Sequence, residues 1–216
     1  QKDSSDCYAD HLHQDFNQKA PNLVWASDFT YIKAGGKWYY LCIIMDLFSR
    51  KVISWHISSK PDVDLVIQTF EKAYRSRKSP IGLMFHSDRG SQYTAFSFRK
   101  LLDERNVVQS FSKKGYPYDN ACCESFFKYL KKEETNRRNF HTYNELYRSV
   151  FQYIEGFYNS RRPHGSLGYL TPDKMEATFW DRQEIRLFPE NMFINRVFFI
   201  DYSSFRQQKA LTLSNI

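Results

Sequence analysis

Cysteine is scarce in this 216-residue chain: only Cys7, Cys42, Cys122 and Cys123 are present, and no two form a Cys-x-x-Cys pair. Adjacent Cys122 and Cys123 are a poor arrangement for ligating one zinc ion. Cys7 lies near His11 and His13 but has no second cysteine nearby, so a structural zinc cluster is not expected. The pattern is that of free thiols in a reducing compartment, which excludes a disulfide scaffold. Long apolar runs are also missing. The longest, Leu41 to Met45, is far too short to cross a bilayer, and no amino-terminal stretch reads as a signal peptide. Internal repeats and low-complexity tracts are absent.

What is abundant is aromatic side chain. Nineteen Phe and 15 Tyr help bring aromatics to 18% of the chain, which favours a packed globule over disorder. The length suits one domain with appendages and is enough to bury a sizeable core. Lys and Arg number 31 against 24 Asp and Glu, a net charge of +7. That surplus suits a polyanionic partner, although basic proteins without one are about as common.

The first 20 residues are polar and aperiodic and are expected to be a flexible lead-in. Residues 24–33 form a β-rich run ending at Gly35-Gly36, whose positive φ angles suit a tight hairpin. A nearly all-apolar strand is expected over 38–47, buried on both faces, and a third strand over 51–58 after the Ser49-Arg50 turn. Pro61-Asp62 opens a helix to about Arg77, with Val63, Val66, Ile67, Phe70 and Tyr74 at helical spacing. Residues 82–86 read as a fourth strand, 94–104 as a helix and 107–111 as a fifth strand. A helix capped by Asp119 or Asn120 follows, running to about Glu134, and another covers 143–158. This is a mixed α/β pattern whose later strands can pair in parallel through helical crossovers.

Three carboxylates stand out in this frame. Asp28 lies in the first strand, within Trp25-Ala26-Ser27-Asp28-Phe29-Thr30-Tyr31. Asp88 follows the fourth strand, within His86-Ser87-Asp88-Arg89-Gly90-Ser91-Gln92-Tyr93. Glu124 sits in the first turn of a helix, after Gly115-Tyr116-Pro117-Tyr118-Asp119-Asn120-Ala121-Cys122-Cys123, and 35 residues separate it from Asp88. Placement near a helix amino terminus favours the ionised form of Glu124. Singly, each has an ordinary alternative: a polar strand residue, a loop acid, a first-turn helix acid. Asp46 and Asp119 are the substitutes, read as structural or near the site and as loop and cap chemistry. His86 fits a supporting or a core role equally. On a helix, at about 100° per residue, Lys128 and Lys131 share the face of Glu124.

These motifs, with the closing string Asn159-Ser160-Arg161-Arg162-Pro163-His164-Gly165-Ser166-Leu167-Gly168-Tyr169-Leu170-Thr171-Pro172, resemble the catalytic core of insertion-sequence transposases and retroviral integrases. The resemblance is greatest to the insertion-sequence group whose transposase is made from two overlapping reading frames. It runs from about Pro21 to about Pro172 and fades beyond Met175. It implies a ribonuclease-H-like α/β fold, a five-stranded mixed sheet flanked by helices, over residues 21–176. Residues 177–216 are then an extension of unassigned role.

The resemblance also implies that Asp28, Asp88 and Glu124 are catalytic and hold Mg²⁺ or Mn²⁺, two ions, with Asp28 bridging them. Hard cations want oxygen ligands, and two of them can activate a nucleophile and hold a leaving oxygen in phosphodiester cleavage. The implied partner is DNA, at element ends and in the target, with a homo-oligomer assembled on it. A product of the upstream helix-turn-helix reading frame is a further implied partner. The implied location is the bacterial cytoplasm or nucleoid, with no membrane. Lys131 matches a basic family position that contacts DNA. Lys128, Lys113, Lys114, Tyr116, Arg161 and Arg162 are further candidates for DNA contact, and the closing string serves packing or DNA contact. Two other readings stay open: a nuclease on the same fold, and a truncated or domesticated DNA-binding protein without autonomous transposition.

Overall fold

The computed structural model describes residues 8–113 and 120–187, the last three by their backbone alone. The chain divides into two compact units, Gln1–Glu176 and Ala177–Ile216. Strands β1 (Val24–Ala34), β2 (Lys37–Asp46) and β3 (Val52–Ser58) form a meander. Helix α1 (Val63–Ser76) then leads to β4 (Met84–Ser87). Two short helices, α2 (Ser91–Thr94) and α3 (Phe96–Glu104), precede β5 (Val108–Phe111). The remaining α-helices among the described residues are α4 (Ala121–Glu133), α5 (Tyr143–Tyr153) and α6 (Pro172–Leu187).

The sheet has the order β3-β2-β1-β4-β5, with β1 antiparallel to β2 and parallel to β4. This is the five-stranded mixed sheet expected from the sequence. Gly35 and Gly36 both adopt positive φ, 54° and 76°, and close the β1–β2 hairpin. Asp62 caps α1, its carboxylate accepting the Leu65 amide at 3.2 Å. Alternation along β1 divides the core between the two faces of the sheet. Ala26 packs with Phe126, Leu130, Val150 and Tyr158 on the α4–α5 side. Trp25 packs with Phe70, Phe85, Tyr93 and Phe98 on the α1–α3 side.

Three local expectations are modified. The single helix expected over 94–104 is two, broken at Ala95, whose ψ of 137° is not helical. The helix expected over 143–158 widens into a π turn at Ile154–Tyr158, where the Asn159 amide donates to the Ile154 carbonyl at 3.0 Å. The lead-in expected to be flexible is anchored over its described part. The Phe111 amide donates to the Ala9 carbonyl (3.0 Å), and the amides of His11 and Leu12 donate to Ser110 Oγ. Leu12 is buried with the core, so one apolar residue in a polar segment decides where that segment lies.

Candidate active site

The parallel pairing of β1 with β4 sets the site. Ala26 stands opposite His86, so continuing the register by two residues places Asp28 level with Asp88 just past the end of β4. The third carboxylate arrives on α4. Asn120, at the start of that helix, makes no side-chain bond to it; its Nδ2 instead donates to the Ser27 carbonyl at 3.0 Å. That bond fixes the helix start against the residue preceding Asp28, and Glu124 follows one turn later. Ser27 is held in turn: its Oγ donates to the Ile43 carbonyl at 2.8 Å and meets the Tyr93 hydroxyl at 2.8 Å. Tyr93 is fully buried, so the platform under Asp28 is a packed one.

The three acids differ in setting. Asp28 is half-buried, and its Oδ1 accepts the Phe29 amide at 2.7 Å. Asp88 and Glu124 are exposed. Asp88 is aimed by its own loop, its Oδ1 accepting the Gly90 amide at 2.9 Å. Burial pushes the Asp28 carboxyl up to about 7, opposed by the Phe29 amide, and the negative charges of Asp88 and Glu124 push the same way. Lys131 opposes them from two turns down α4. The fold thus brings Asp88, Glu124 and Lys131 within electrostatic reach of Asp28. Among the described residues no three His, Cys, Asp or Glu side chains stand close enough to enclose a metal ion. The donor set still suits a hard cation, because it offers only carboxylate oxygens and its central member is destabilised as an anion by burial and, less, by the two other acids.

The other candidates fall in different places. Lys128 is exposed on the Glu124 face of α4, and Lys131 is half-buried with its ammonium 5.1 Å from the centre of the Tyr31 ring. Lys113 is exposed one residue beyond Ser112, whose amide continues the β4–β5 ladder to the Ser87 carbonyl at 2.9 Å. It therefore sits at the Asp88 end of the sheet. Lys114, Tyr116 and Asp119 lie outside the described residues. Arg161 is exposed. Arg162 is not comparable: its guanidinium grips Glu133 at 2.9–3.2 Å and stacks 3.9 Å from the centre of the Tyr129 ring.

His86 is a core histidine, with Nδ1 facing Ser110 Oγ at 3.0 Å and Nε2 facing Ser112 Oγ at 3.2 Å. Asp46 is buried at the far end of the β1–β2 pair, opposite Trp25, and accepts the amides of Asn22 (2.7 Å) and Phe48 (2.9 Å). The closing string packs the fold. Asn159 makes a strand-like pair of bonds to Val52, accepting its amide and donating to its carbonyl, both at 3.0 Å. His164 meets the Tyr158 ring edge-on, and burial and the Arg162 charge lower its pKa to about 4, leaving it neutral.

The parts played by Ser27, Gly90, Tyr93 and Asn120 were not singled out by the sequence. Gly90 and Tyr93 lie inside the quoted Asp88 motif, and that proximity was the available signal. The Asn120 bond links residues 93 positions apart and had none.

Comparison with known proteins agrees with this geometry. Two family models described as integrase core domain match residues 18–117 and 105–172. The chain is 41% identical over 165 residues to the transposase for insertion sequence element IS904 of Lactococcus lactis subsp. lactis (strain IL1403), covering 76% of this chain and 65% of that protein. It is 39% identical over 165 residues to transposase InsF for insertion sequence IS3A of Escherichia coli (strain K12), covering 76% of this chain and 57% of that one. It therefore spans a little over half to about two thirds of these relatives' lengths. Among solved structures, the HTLV-2 integrase catalytic core domain in complex with magnesium (trimeric form) aligns at TM-score 0.53 and 18% identity, covering 73% of this chain and 98% of that one. The Mos1 transposase catalytic domain with Raltegravir and Mg aligns at TM-score 0.54 and 15% identity, covering 63% and 72%. At such identities these two likenesses speak to the ribonuclease-H-like fold alone. From the motifs, the sheet and the sequence relatives together, the chain belongs to the integrase-core family of insertion-sequence transposases.

Proposed function

We propose that this chain is the catalytic core of a transposase, cleaving DNA at element ends and joining the freed 3′-hydroxyl to target DNA. Asp28, Asp88 and Glu124 are its catalytic carboxylates and would hold two Mg²⁺ or Mn²⁺ ions. Such ions, when bound, activate the water or 3′-hydroxyl and stabilise the leaving oxygen. The observation that carries the reading is the β1–β4 register, which sets Asp28 level with Asp88 while Asn120 ties the start of α4 to Ser27. Two strands and a helix that are remote in sequence are thereby committed to one point.

The chain's own residues do the positioning. Lys131 moderates the negative charge around Asp28 and is placed to orient a phosphate beside it. Lys128, Lys113 and Arg161 extend a basic track for the DNA backbone, with Lys114 and Tyr116, which precede α4 in sequence, as further contacts. Contacts of this kind carry affinity and salt dependence more than sequence choice. Arg162 acts through Glu133, steadying the carboxyl-terminal half of α4. Although partial burial raises Glu133, Arg162 and the Tyr153 hydroxyl hold its carboxyl below the usual range.

The test is nicking of labelled duplex DNA with Mg²⁺ or Mn²⁺ by wild type, Asp88→Asn and Glu124→Gln. Metal-dependent nicking is expected in the wild type and is expected to fall at least a hundredfold in both variants, with folding and DNA binding retained. Nicking that survives both substitutions would remove the carboxylate assignment. Binding without nicking in the wild type would favour a DNA-holding role.

A further inference from the structure

A cleft of about 560 Å³ opens between the β1–β2 hairpin and the segment following α4, lined by Tyr31, Lys33, Trp38, Lys131, Arg138 and Asn139 among others. Its walls are fixed. Ala34 bridges to Phe140, the Gly35 amide donates to the Phe140 carbonyl at 2.9 Å, and a Cβ at Gly35 would come within 2.7 Å of the His141 carbonyl oxygen. The hairpin tip is thus held tightly against residues 140–141.

The chemistry of the lining is unusual for an ordinary surface. Tyr31 is 58% exposed and Trp38 51%, and the two rings meet edge to face with centroids 5.2 Å apart. Cations stand beside both rings, Lys33 at 5.9 Å from the Trp38 centroid and Lys131 at 5.1 Å from that of Tyr31. Arg138 adds a third and pairs with Glu134 at 3.1 Å. Among the described residues no Asp or Glu lines the cleft. Exposed aromatic rings would bury readily against any apolar partner, but Lys33 and Lys131, with Arg138 shared with Glu134, select one that is also anionic. An unpaired nucleic acid strand has both properties: a π face on every base and a phosphate on every sugar. A duplex hides its base faces and cannot use the rings. Lys131, which lines the cleft, lies two turns along α4 from Glu124, about 10 Å at 1.5 Å per residue, so the cleft lies along the same helix as that carboxylate.

We propose that this cleft holds an unpaired DNA strand leaving the carboxylate site, with one base stacked on Trp38 and flanking phosphates at Lys33 and Arg138. The proposal rests on the transposase reading and extends it, since strand cleavage and joining create single-stranded flanks.

Its test is independent of cleavage. Fluorescence anisotropy of the full chain, without divalent ions, would compare a short labelled single strand with the blunt duplex of the same sequence. For the single strand, Trp38→Ala is expected to weaken binding about tenfold. Trp38→Phe, which keeps a stacking ring, should stay within about threefold of wild type. Lys33→Ala should lower the slope of log affinity against log salt by about 0.7, and Trp38→Ala should leave that slope unchanged. Duplex affinity should be the same in wild type and Trp38→Ala. Equal single-strand affinity in wild type and Trp38→Ala would overturn the proposal, as would an equal loss on duplex and single strand. The nicking assay with Asp88→Asn and Glu124→Gln reads the catalytic assignment separately. Its failure would sink the transposase chemistry while the Trp38 dependence remained measurable.

Discussion

Gly90 shows how a site depends on an atom that is missing. Its φ of −56° is open to any residue, so glycine is not needed there for backbone freedom. What it provides is room. A Cβ would lie 2.9 Å from Asp88 Oδ1 and 3.0 Å from Gln92 Oε1, and Gln92 is itself held by a 2.7 Å bond from its Nε2 to the Pro61 carbonyl. The Asp88 carboxylate is therefore the group that must give way. Gly90→Ala should displace it and reduce metal-dependent nicking by about tenfold or more, because misplacement near 1 Å is costly in catalysis. The melting temperature should move by only a few degrees, since the loop is exposed. An unchanged nicking rate would mean that the position of Asp88 tolerates the shift. Gly90 was visible in the sequence as part of a motif, but its steric role was not, because that role depends on how the loop folds back on a neighbour two residues away.

At the scale of elements, helix ends and helix irregularities do the locating. Asn120 stands where a helix cap was expected, yet its side chain serves β1 rather than its own helix. The π turn after α5 carries Tyr158 and Asn159 to buried positions, 3% and 2% exposed, where a continuous helix had been expected. There the Asn159 amide does what a neighbouring strand would do for Val52, satisfying both its backbone groups at the edge of the sheet. Asn159→Ala leaves a buried N–H and C=O unpaired and should cost about 2–4 kcal/mol. Urea unfolding would measure this, with exposed Arg161→Ala as a control expected to change stability by less than about 0.5 kcal/mol. A small loss in Asn159→Ala would show that water replaces the amide. The Asn159-to-Pro172 string was legible as a signature; its packing role was not, because Val52 is over 100 residues away in the chain.

At the scale of the whole first unit, a partly buried set of charged groups joins segments far apart in sequence. Asp46 accepts the Asn22 and Phe48 amides. Nearby, Glu176 binds Arg77 at 2.8 Å and accepts from Ser49 Oγ at 2.8 Å, while Lys51 binds Asp173 at 2.7 Å. Burial pushes Asp46 up to about 6 from its ordinary 3.8, opposed by the Asn22 amide and reinforced by the charge of Glu176. The sign follows from proton counts. Between these two values the folded chain keeps a proton that the unfolded chain has released, so this group's contribution to stability falls as pH rises through that window. The full loss above pH 6 is about 3 kcal/mol. Unfolding measured at intervals from pH 4 to 7 should therefore show a flatter profile in Asp46→Asn than in wild type. Identical profiles would assign the pH dependence to other groups.

The sequence by itself determined the order of the elements, the hairpin at Gly35-Gly36 and the helix start at Pro61-Asp62, and it marked the three acids as candidates, because periodicity, turn residues and motif spacing are local properties of a chain. It also carried the family, through strings that remain recognisable one after another. Tertiary structure alone decided the rest. Strand order set Asp28 level with Asp88, a side-chain amide set α4 beside them, and the docking of the β1–β2 hairpin end on residues 140–141 turned Tyr31 and Trp38 into one wall of a basic cleft. Leu12 was pulled from a polar lead-in into the core by the same cause. Each of these outcomes depends on which distant surfaces meet, and burial against a partner is a property that no window of sequence contains.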